Sequence, residues 1–241
     1  MSKLLKFGYG NSKLPRTTVI FDLPAGHSCP FAKLCKSSVH RVTGKLTDGP
    51  HTEFRCYAAS TEGLRSRVRA ARWHNFNLLK NKSYEAITDL IYSSLPEGHL
   101  YRIHSSGDFF SQEYFDAWVM IAAARSDRTF YAYTKALPFW VKRRHILPRN
   151  FKLIASVGGT HDHLIEEYKL RSARVVLSEK EAKHYGLAID HDDTLAWKTN
   201  TSFALLIHGT QPAQSKASVA WQLVRNTVGG YSKKKLLLVN K

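Results

Sequence analysis

Cysteine is scarce in this chain, and its few copies are clustered. Only three occur among 241 residues, at Cys29, Cys35 and Cys56. A disulfide would use two of them and leave one over, and the glycines and prolines between them disfavour regular structure. The alternative is three core thiols, because cysteine is among the most buried residue types. The clustering favours a site in a loop spanning residues 23–58.

The three thiols at the spacing CX5C-X20-C predict a metal centre with one ligand position left open. A [4Fe-4S] cluster is normally held by four thiolates, so three would leave one iron free for another ligand. Zinc is the alternative, since His27, His40 or His51 would complete a tetrahedral Cys3His site. In a short zinc finger the paired ligands lie about two to four residues apart. The longer spacing here favours the iron–sulfur cluster.

Long apolar segments are also absent. No apolar run approaches the ~20 residues that a membrane-crossing helix needs. The first six residues lack the long apolar segment of a signal peptide. We therefore expect a cytoplasmic protein with no membrane partner, a compartment in which thiols stay reduced and free to bind metal.

Acidic residues are few compared with basic ones. Nineteen Asp and Glu accompany 36 Lys and Arg, which gives a formal net charge of +17. Such an excess is typical of proteins that bind nucleic acid, although it would also serve solubility alone or bind an acidic host protein. The candidate nucleic-acid-binding residues are Arg65, Arg69 and Arg72 in one predicted helix and Lys142, Arg143 and Arg144 in another. For the first three, the alternative is an ordinary solvated helix face.

Short apolar segments alternate with helical patterns along the chain, which is typical of βα units and a parallel sheet. The predicted strands are 17–21, 100–104, 129–133, 152–156, 173–177 and 203–207. Helical periodicity begins after Cys56, and the later predicted helices are 84–95, 112–124, 137–146, 161–170, 179–185 and 216–226. No linker or low-complexity stretch divides the chain, so we expect a single α/β domain over residues 1–241.

Polar residues and glycines follow the predicted strands, where a parallel sheet carries its functional loops. His104 and Asp108 form a candidate proton-transfer pair, because a carboxylate can orient an imidazole. Tyr133 and Lys135 are further catalytic candidates for handling protons or charge. The candidate cofactor-binding residues are Ser106, Gly107, Asp108, Ser156, Gly158 and Gly159. The alternative for Asp108 is a cap on the next helix.

A first strand that runs into a three-cysteine loop, followed by βα units, resembles the radical S-adenosylmethionine enzymes. The resemblance implies an α/β fold, a partial (β/α)6 barrel at residues 17–210 with mostly parallel strands and a cysteine-rich loop after the first. A basic arm at 1–16 would precede it, and a helix and basic tail at 211–241 would follow. In that family three cysteines hold a [4Fe-4S] cluster and S-adenosylmethionine takes the fourth iron. The usual cysteine spacing there is CX3CX2C, from which this chain departs.

Four segments resemble the phage gene product 88 family more closely. They are LPAGHSCP at 23–30, CYA at 56–58, SSGDF at 105–109 and YAYTK at 131–135, and the likeness spans roughly residues 17–180. It implies an iron–sulfur protein of phage or mobile-element origin, located in the host cell cytoplasm, without naming a reaction. Relatives of this kind tend to carry further cysteines near the C-terminus. This chain has His208 there, so the resemblance implies a single cluster.

Overall fold

A mostly parallel sheet forms the centre of the protein. The computed structural model describes residues 4–227, so the basic tail predicted at 233–235 lies outside the described residues. The strands are β1 (Phe7–Tyr9), β2 (Thr18–Phe21), β3 (Ser37–Val39), β4 (Leu46–Asp48), β5 (Leu100–Ile103), β6 (Thr129–Thr134), β7 (Phe151–Ser156), β8 (Ser172–Val176) and β9 (Phe203–Leu206). The large sheet has the order β1-β2-β5-β6-β7-β8-β9, and β3 pairs with β4 in a separate hairpin.

Helices connect the parallel strands of the large sheet. They are α1 (Tyr57–Leu64), α2 (Ser66–Leu79), α3 (Tyr84–Ser94), α4 (Gln112–Ala124), α5 (Leu137–Arg143), α6 (His163–Glu167), α7 (Glu179–His184), α8 (Thr194–Lys198) and α9 (Lys216–Thr227). Ser111 caps α4, because its hydroxyl accepts a hydrogen bond from the Tyr114 amide at 3.2 Å. Within the described residues, no helix is long and apolar enough to cross a membrane.

The predicted strands all form, and each begins and ends within one residue of the predicted bounds. The prediction of helix 112–124 is also confirmed. Two helices are shorter than predicted: α5 ends at Arg143 rather than at residue 146, and α6 covers only His163–Glu167 of the predicted 161–170. The interior elements are therefore predictable from their apolar pattern, whereas the helix ends are not.

Three elements were not predicted. The N-terminal arm is tied to the protein, because β1 pairs antiparallel with β2 and Leu5 and Leu14 are buried. The cysteine segment contains the β3–β4 hairpin, although its glycines suggested an irregular loop. Helix α8 is a short turn of helix after Asp193, and the sequence analysis left it out.

The large sheet has two different faces. On one, Tyr101 and Ile103 of β5 join the largest apolar core together with Trp118 of α4. On the other, Tyr131 of β6 packs near Ala196 of α8. Alternate residues of a strand point to opposite faces, so Arg102 lies between Tyr101 and Ile103 in sequence but on the face that carries α8.

The sheet is open. Its edges are β1 and β9, which do not pair with each other in the part of the chain that the structure describes, so no closed barrel forms there. Six strands, from β2 to β9, lie parallel to their neighbours in chain order. The carboxyl ends of all six therefore meet at one edge of the sheet, which we call the carboxyl edge.

Candidate functional site

The loop that carries the cysteines lies across the carboxyl edge of the sheet. It leaves β2 at Asp22 and reaches α1 at Cys56. The amides of Lys33 and Leu34 donate to the Gly158 carbonyl, beyond β7, at 3.2 and 2.9 Å. The Thr160 amide donates to the Phe31 carbonyl at 3.0 Å. These backbone hydrogen bonds fasten the middle of the loop to the end of β7.

The start of the same loop is fastened to the segment that follows β5. The Leu23 amide donates to the Ser106 carbonyl at 3.0 Å, and the Ser106 amide donates to the Asp22 carboxylate at 3.0 Å. Gly107 has a φ of +88°, and a Cβ there would lie 2.6 Å from Leu23 Cβ and from Ser28 Oγ. Only glycine allows so close an approach in this conformation.

Two cationic side chains hold the loop together internally. Lys36 donates through Nζ to the carbonyls of Gly26 and Cys29, at 2.9 and 2.7 Å. Arg55, next to Cys56, forms an ion pair with Asp48 of β4 at 2.6 Å. The side-chain hydrogen bonds from Arg55 lower the pKa of Asp48, so this carboxylate stays ionised. The loop therefore has a defined shape.

The three thiols are half-buried, and each is free of a disulfide. Burial raises the pKa of Cys29 strongly, and Asp108, Cys56 and Cys35 raise it further. Burial, with a smaller contribution from Cys35, raises the pKa of Cys56 to about 11. Since a charge perturbs a neighbouring pKa only at short range, the loop brings Cys29, Cys35 and Cys56 towards one another.

Backbone amides near Cys56 and Cys29 act against the effect of burial on these two thiols. Cys56 stands immediately before α1 and makes no side-chain capping hydrogen bond, but the Ala59 and Ala58 amides act to lower its pKa. A backbone hydrogen bond from Gly26 acts in the same direction on Cys29. Amides at a helix N-terminus stabilise negative charge, but burial outweighs this effect, because the pKa of each of these two thiols is raised overall.

A compact metal centre is not formed. Within residues 4–227, no group of three or more His, Cys, Asp or Glu side chains is gathered closely enough to hold a metal ion. The histidines proposed as a fourth ligand have other partners or lie in solvent. His27 contacts the Val39 carbonyl at 3.1 Å, His40 contacts Thr43, and His51 is exposed. The candidate donor set is thus the three thiols alone, with His27 and His40 engaged elsewhere.

His104 does not form the predicted proton-transfer pair. Its Nε2 lies 2.8 Å from the Tyr114 hydroxyl, and its ring packs against Phe109 and Phe21 in the main core. Burial, with a smaller contribution from Arg102, lowers the pKa of His104 to about 3. His104 is thus a neutral core residue whose partner is Tyr114, and no hydrogen bond joins it to Asp108 within the described residues.

Asp108 joins the loop after β5 to the end of β6. It is buried and accepts hydrogen bonds from Thr134 Oγ1 at 2.6 Å and from the amides of Lys135 and Phe109, each at 2.8 Å. Burial raises its pKa, while these hydrogen bonds act to lower it. It lies near enough to Cys29 to raise the pKa of that thiol. Asp108 is thus a structural carboxylate beside the cysteines.

Most predicted cofactor-binding residues contact the protein itself. Gly158 and Gly159 donate their amides to Asp162, and Gly159 pairs with Ala32 of the cysteine loop. Ser156 accepts a hydrogen bond from Lys135 Nζ at 2.6 Å. Together with Ser106 and Gly107, described above, these residues hold the loop on the sheet. At Gly107 and Gly158 the close approach that glycine permits is made by Leu23, Ser28 and Leu34 of the cysteine loop.

The predicted arginine track is largely buried. Arg72 contacts Glu62 and Asp22, each at 3.2 Å. Arg69 donates to the carbonyls of Glu62, Gly63, Arg41 and Val42 at 2.8 to 3.3 Å. Only Arg65 of the three is exposed. The guanidinium groups of Arg69 and Arg72 bind α1 and the loops beside it, so only Arg65 of the predicted track reaches solvent in this conformation.

The second basic cluster lies on α5. Lys142 and Arg144 are exposed, and Arg144 stacks over the Tyr168 ring at 4.9 Å. Arg143 forms an ion pair with Asp116 of α4 at 2.6 Å. Of this cluster, Lys142 and Arg144 keep the exposure that a nucleic-acid contact needs.

A polar network that the sequence analysis missed occupies the face of the sheet that carries α8. Asp193 accepts contacts from Arg102 and Tyr131, and forms an ion pair with Lys13 at 2.7 Å. Tyr133, a catalytic candidate, donates to the same carboxylate at 3.3 Å. Burial acts to raise the pKa of Asp193, but Arg102 and Lys13 lower it overall. An Arg at the centre of an apolar strand was the signal available in the sequence.

A large cavity lies beside this network. Its volume is about 630 Å³, and its lining includes Arg102, Asp193, Tyr57 and His208. Tyr57 directly follows Cys56 and donates its hydroxyl to the Ser105 carbonyl at 2.6 Å. The cavity therefore begins one residue from a cysteine of the loop.

The fold and site define a mostly parallel α/β protein with a three-cysteine loop across its carboxyl edge. Comparison with known proteins adds the family: the family described as Gene product 88 matches residues 3–223. The chain belongs to the gene product 88 family, as the four sequence segments predicted.

Two curated relatives are phage proteins. The Gene 88 proteins of Mycobacterium phage D29 and Mycobacterium phage L5 are each 32% identical to this chain over 90 residues. Each alignment covers 33% of this chain and 38% of the relative, so the chain matches well under half the length of either. No solved structure matches the chain. The comparisons support a phage protein and leave its chemistry to be inferred.

Proposed function

We propose that the chain is an iron–sulfur protein, in which Cys29, Cys35 and Cys56 hold one [4Fe-4S] cluster. The observation that carries the proposal is that the only three cysteines in the sequence lie, free of disulfides, in one loop that is hydrogen-bonded across the carboxyl edge of the sheet, where Cys35 and Cys56 both act on the pKa of Cys29. A half-buried thiol of raised pKa is a poor neutral hydrogen-bonding group, whereas a metal stabilises its thiolate form. Three thiols brought together with no disulfide suit that purpose.

The surroundings of the sulfur atoms fit a cluster. Backbone amides that reach Cys29 and Cys56 are of the kind that tunes the potential of bound clusters. Arg72 acts to lower the pKa of Cys56 and so offsets part of the thiolate charge. When bound, a three-thiolate cluster supplies electron transfer and one iron open to an exogenous ligand. Zinc fits less well, since neither His27 nor His40 contacts a thiol.

The first candidate activity is that of a radical S-adenosylmethionine-like enzyme acting on nucleic acid or a nucleotide. Parallel strands in chain order support a partial (β/α)6 arrangement with its chemistry at the carboxyl edge. The net charge of +17 supports a polyanionic substrate. Gly107 and Gly158, which were candidate cofactor-binding residues, pack against the cysteine loop instead. The proposal that S-adenosylmethionine binds therefore depends on the family resemblance alone.

The second candidate is a non-enzymatic protein that binds nucleic acid or an acidic host protein. It is favoured by the backbone hydrogen bonds that join residues 31–34 to the end of β7. These bonds already hold the loop on the sheet, and a metal centre in the loop would add to the same structural role. Metal bound only to the native state would then add its binding free energy to stability. Lys142 and Arg144 are the exposed cations through which such a protein would contact its partner.

The test of the metal centre is the iron content of anaerobically purified protein. The wild type should be brown, absorb near ~400 nm and contain about four irons per chain. Cys29→Ala, Cys35→Ala and Cys56→Ala should each lose most of the iron rather than a third, because closing the loop on metal needs all three thiolates together. Each variant should also melt at a lower temperature.

Ser38→Ala is the matched control, because Ser38 lies in the same loop between Cys35 and Cys56, and within residues 4–227 its hydroxyl forms no hydrogen bond. It should retain wild-type iron. A colourless protein with one zinc, or a cysteine variant with full iron and an unchanged melting temperature, would refute the proposal. Incubation of the reduced protein with S-adenosylmethionine separates the two candidates, since only the enzyme forms 5′-deoxyadenosine and methionine.

A further inference from the structure

The cavity of about 630 Å³ is walled by basic side chains of two kinds. In its depth, Arg72 and Arg102 are buried and already paired with carboxylates, Arg72 with Asp22 and Arg102 with Asp193. At its mouth, Lys6 and Arg65 are exposed, and within residues 4–227 neither forms an ion pair. Lys6 and Arg65 can therefore contact a ligand, whereas the charges of Arg72 and Arg102 are neutralised by carboxylates of the protein.

One wall of the cavity is aromatic. The rings of Tyr57 and His208 lie 4.6 Å apart with an interplanar angle of 38°, and both residues line the cavity. Burial lowers the pKa of His208 to about 4, so the imidazole is neutral near pH 7. A neutral pair of rings offers a surface against which a base can stack without repelling it.

We propose that this cavity binds a nucleotide, with its phosphate at Lys6 and Arg65 and its base against Tyr57 and His208. A volume of this size is within the range of about 300 to 1,000 Å³ that holds ligands of comparable size. A charged group at the mouth and rings in the wall match the two ends of a nucleotide. This assignment names the substrate class of the proposed function. Any reaction of the nucleotide rests on that function, but nucleotide binding does not require the cluster.

The test is calorimetric titration of the as-purified protein with adenosine 5′-monophosphate and with adenosine. The monophosphate should bind about a hundredfold more tightly than the nucleoside, because Lys6 and Arg65 would each make a charge-assisted contact to phosphate that is worth about tenfold. Arg65→Gln should weaken monophosphate binding by about tenfold and leave adenosine binding unchanged. No binding of the monophosphate, or equal binding of both compounds, would overturn the assignment.

Arg67→Gln is the matched control, since Arg67 is also exposed and lies on α2 but is not among the residues that line the cavity. It should change monophosphate binding by less than about twofold. Equal losses in the two variants would mean that the ligand only follows the overall positive charge, which contradicts the assignment. A 5′-phosphorylated oligonucleotide that displaces the monophosphate identifies a strand end as the source, and one that does not identifies the free nucleotide.

Iron content measured on the same samples keeps the two proposals apart. Arg65→Gln should retain the iron of the wild type, because within residues 4–227 the Arg65 side chain forms no ion pair with the cysteine loop and its charge is not among the main influences on Cys56. Protein that binds the monophosphate but contains no iron would refute the cluster and leave the cavity assignment in place. Iron-loaded protein that binds no monophosphate would refute the cavity assignment and leave the cluster in place.

Discussion

Gly107 offers a quantitative test of how the cysteine loop is held on the sheet. Its φ of +88° is a conformation that costs an alanine about 1–2 kcal/mol. In addition, the new Cβ would lie 2.6 Å from Leu23 Cβ and from Ser28 Oγ, which is an overpacked contact worth about 1–3 kcal/mol. Gly107→Ala should therefore lower the free energy of unfolding by about 2–5 kcal/mol.

Gly186→Ala is the control for the backbone part of this cost. Gly186 also has a positive φ, +64°, but a Cβ there would meet nothing within 4 Å. It should lose only about 1–2 kcal/mol. Urea unfolding of both variants measures the difference, and iron content shows whether displacement of residues 23–28 disturbs Cys29. Equal losses in the two variants would mean that Gly107 does not support the loop.

Two further predictions concern residues whose predicted roles changed. Burial depresses the pKa of His104 from 6.5 to about 3. The contribution of this residue to the free energy of unfolding should therefore be complete above pH 6.5 and fall by about 1.4 kcal/mol per pH unit as the pH drops towards 3. An NMR titration that shows protonation of His104 near pH 6 would contradict this. Arg69→Gln should destabilise the fold by at least about 2 kcal/mol, since it strands buried carbonyls, and should leave DNA affinity unchanged. Thermal melts and salt-titrated binding check it, and a weaker affinity at full stability would restore Arg69 as a phosphate contact.

The strands could be predicted because their signal is local. Runs such as 100–104 and 129–133 are apolar and β-branched or aromatic, so their pairing in a parallel sheet needs no knowledge of distant residues. β1 escaped prediction because only three residues, Phe7–Tyr9, pair, and their neighbours are basic and small. Its strand character comes from β2, which is a tertiary effect rather than a propensity.

The site was harder to predict because its contacts join distant parts of the chain. The sequence places Gly158 after a strand, but only the fold shows Leu34 of the cysteine loop against it. The burial of Arg69 and Arg72 had a clearer signal. They share one face of α2 with Leu79, at helical spacing, and all three are buried.

The start of α1 is where the cysteine loop and the cavity come closest. Cys56 precedes the helix and is affected by Cys35, whereas Tyr57, the next residue, lines the cavity. Gly107 and Gly158 pack against Leu23, Ser28 and Leu34 of the loop, which fills the space beyond β5 and β7. On the proposed function, a substrate would therefore approach Cys56 from the cavity, past Tyr57.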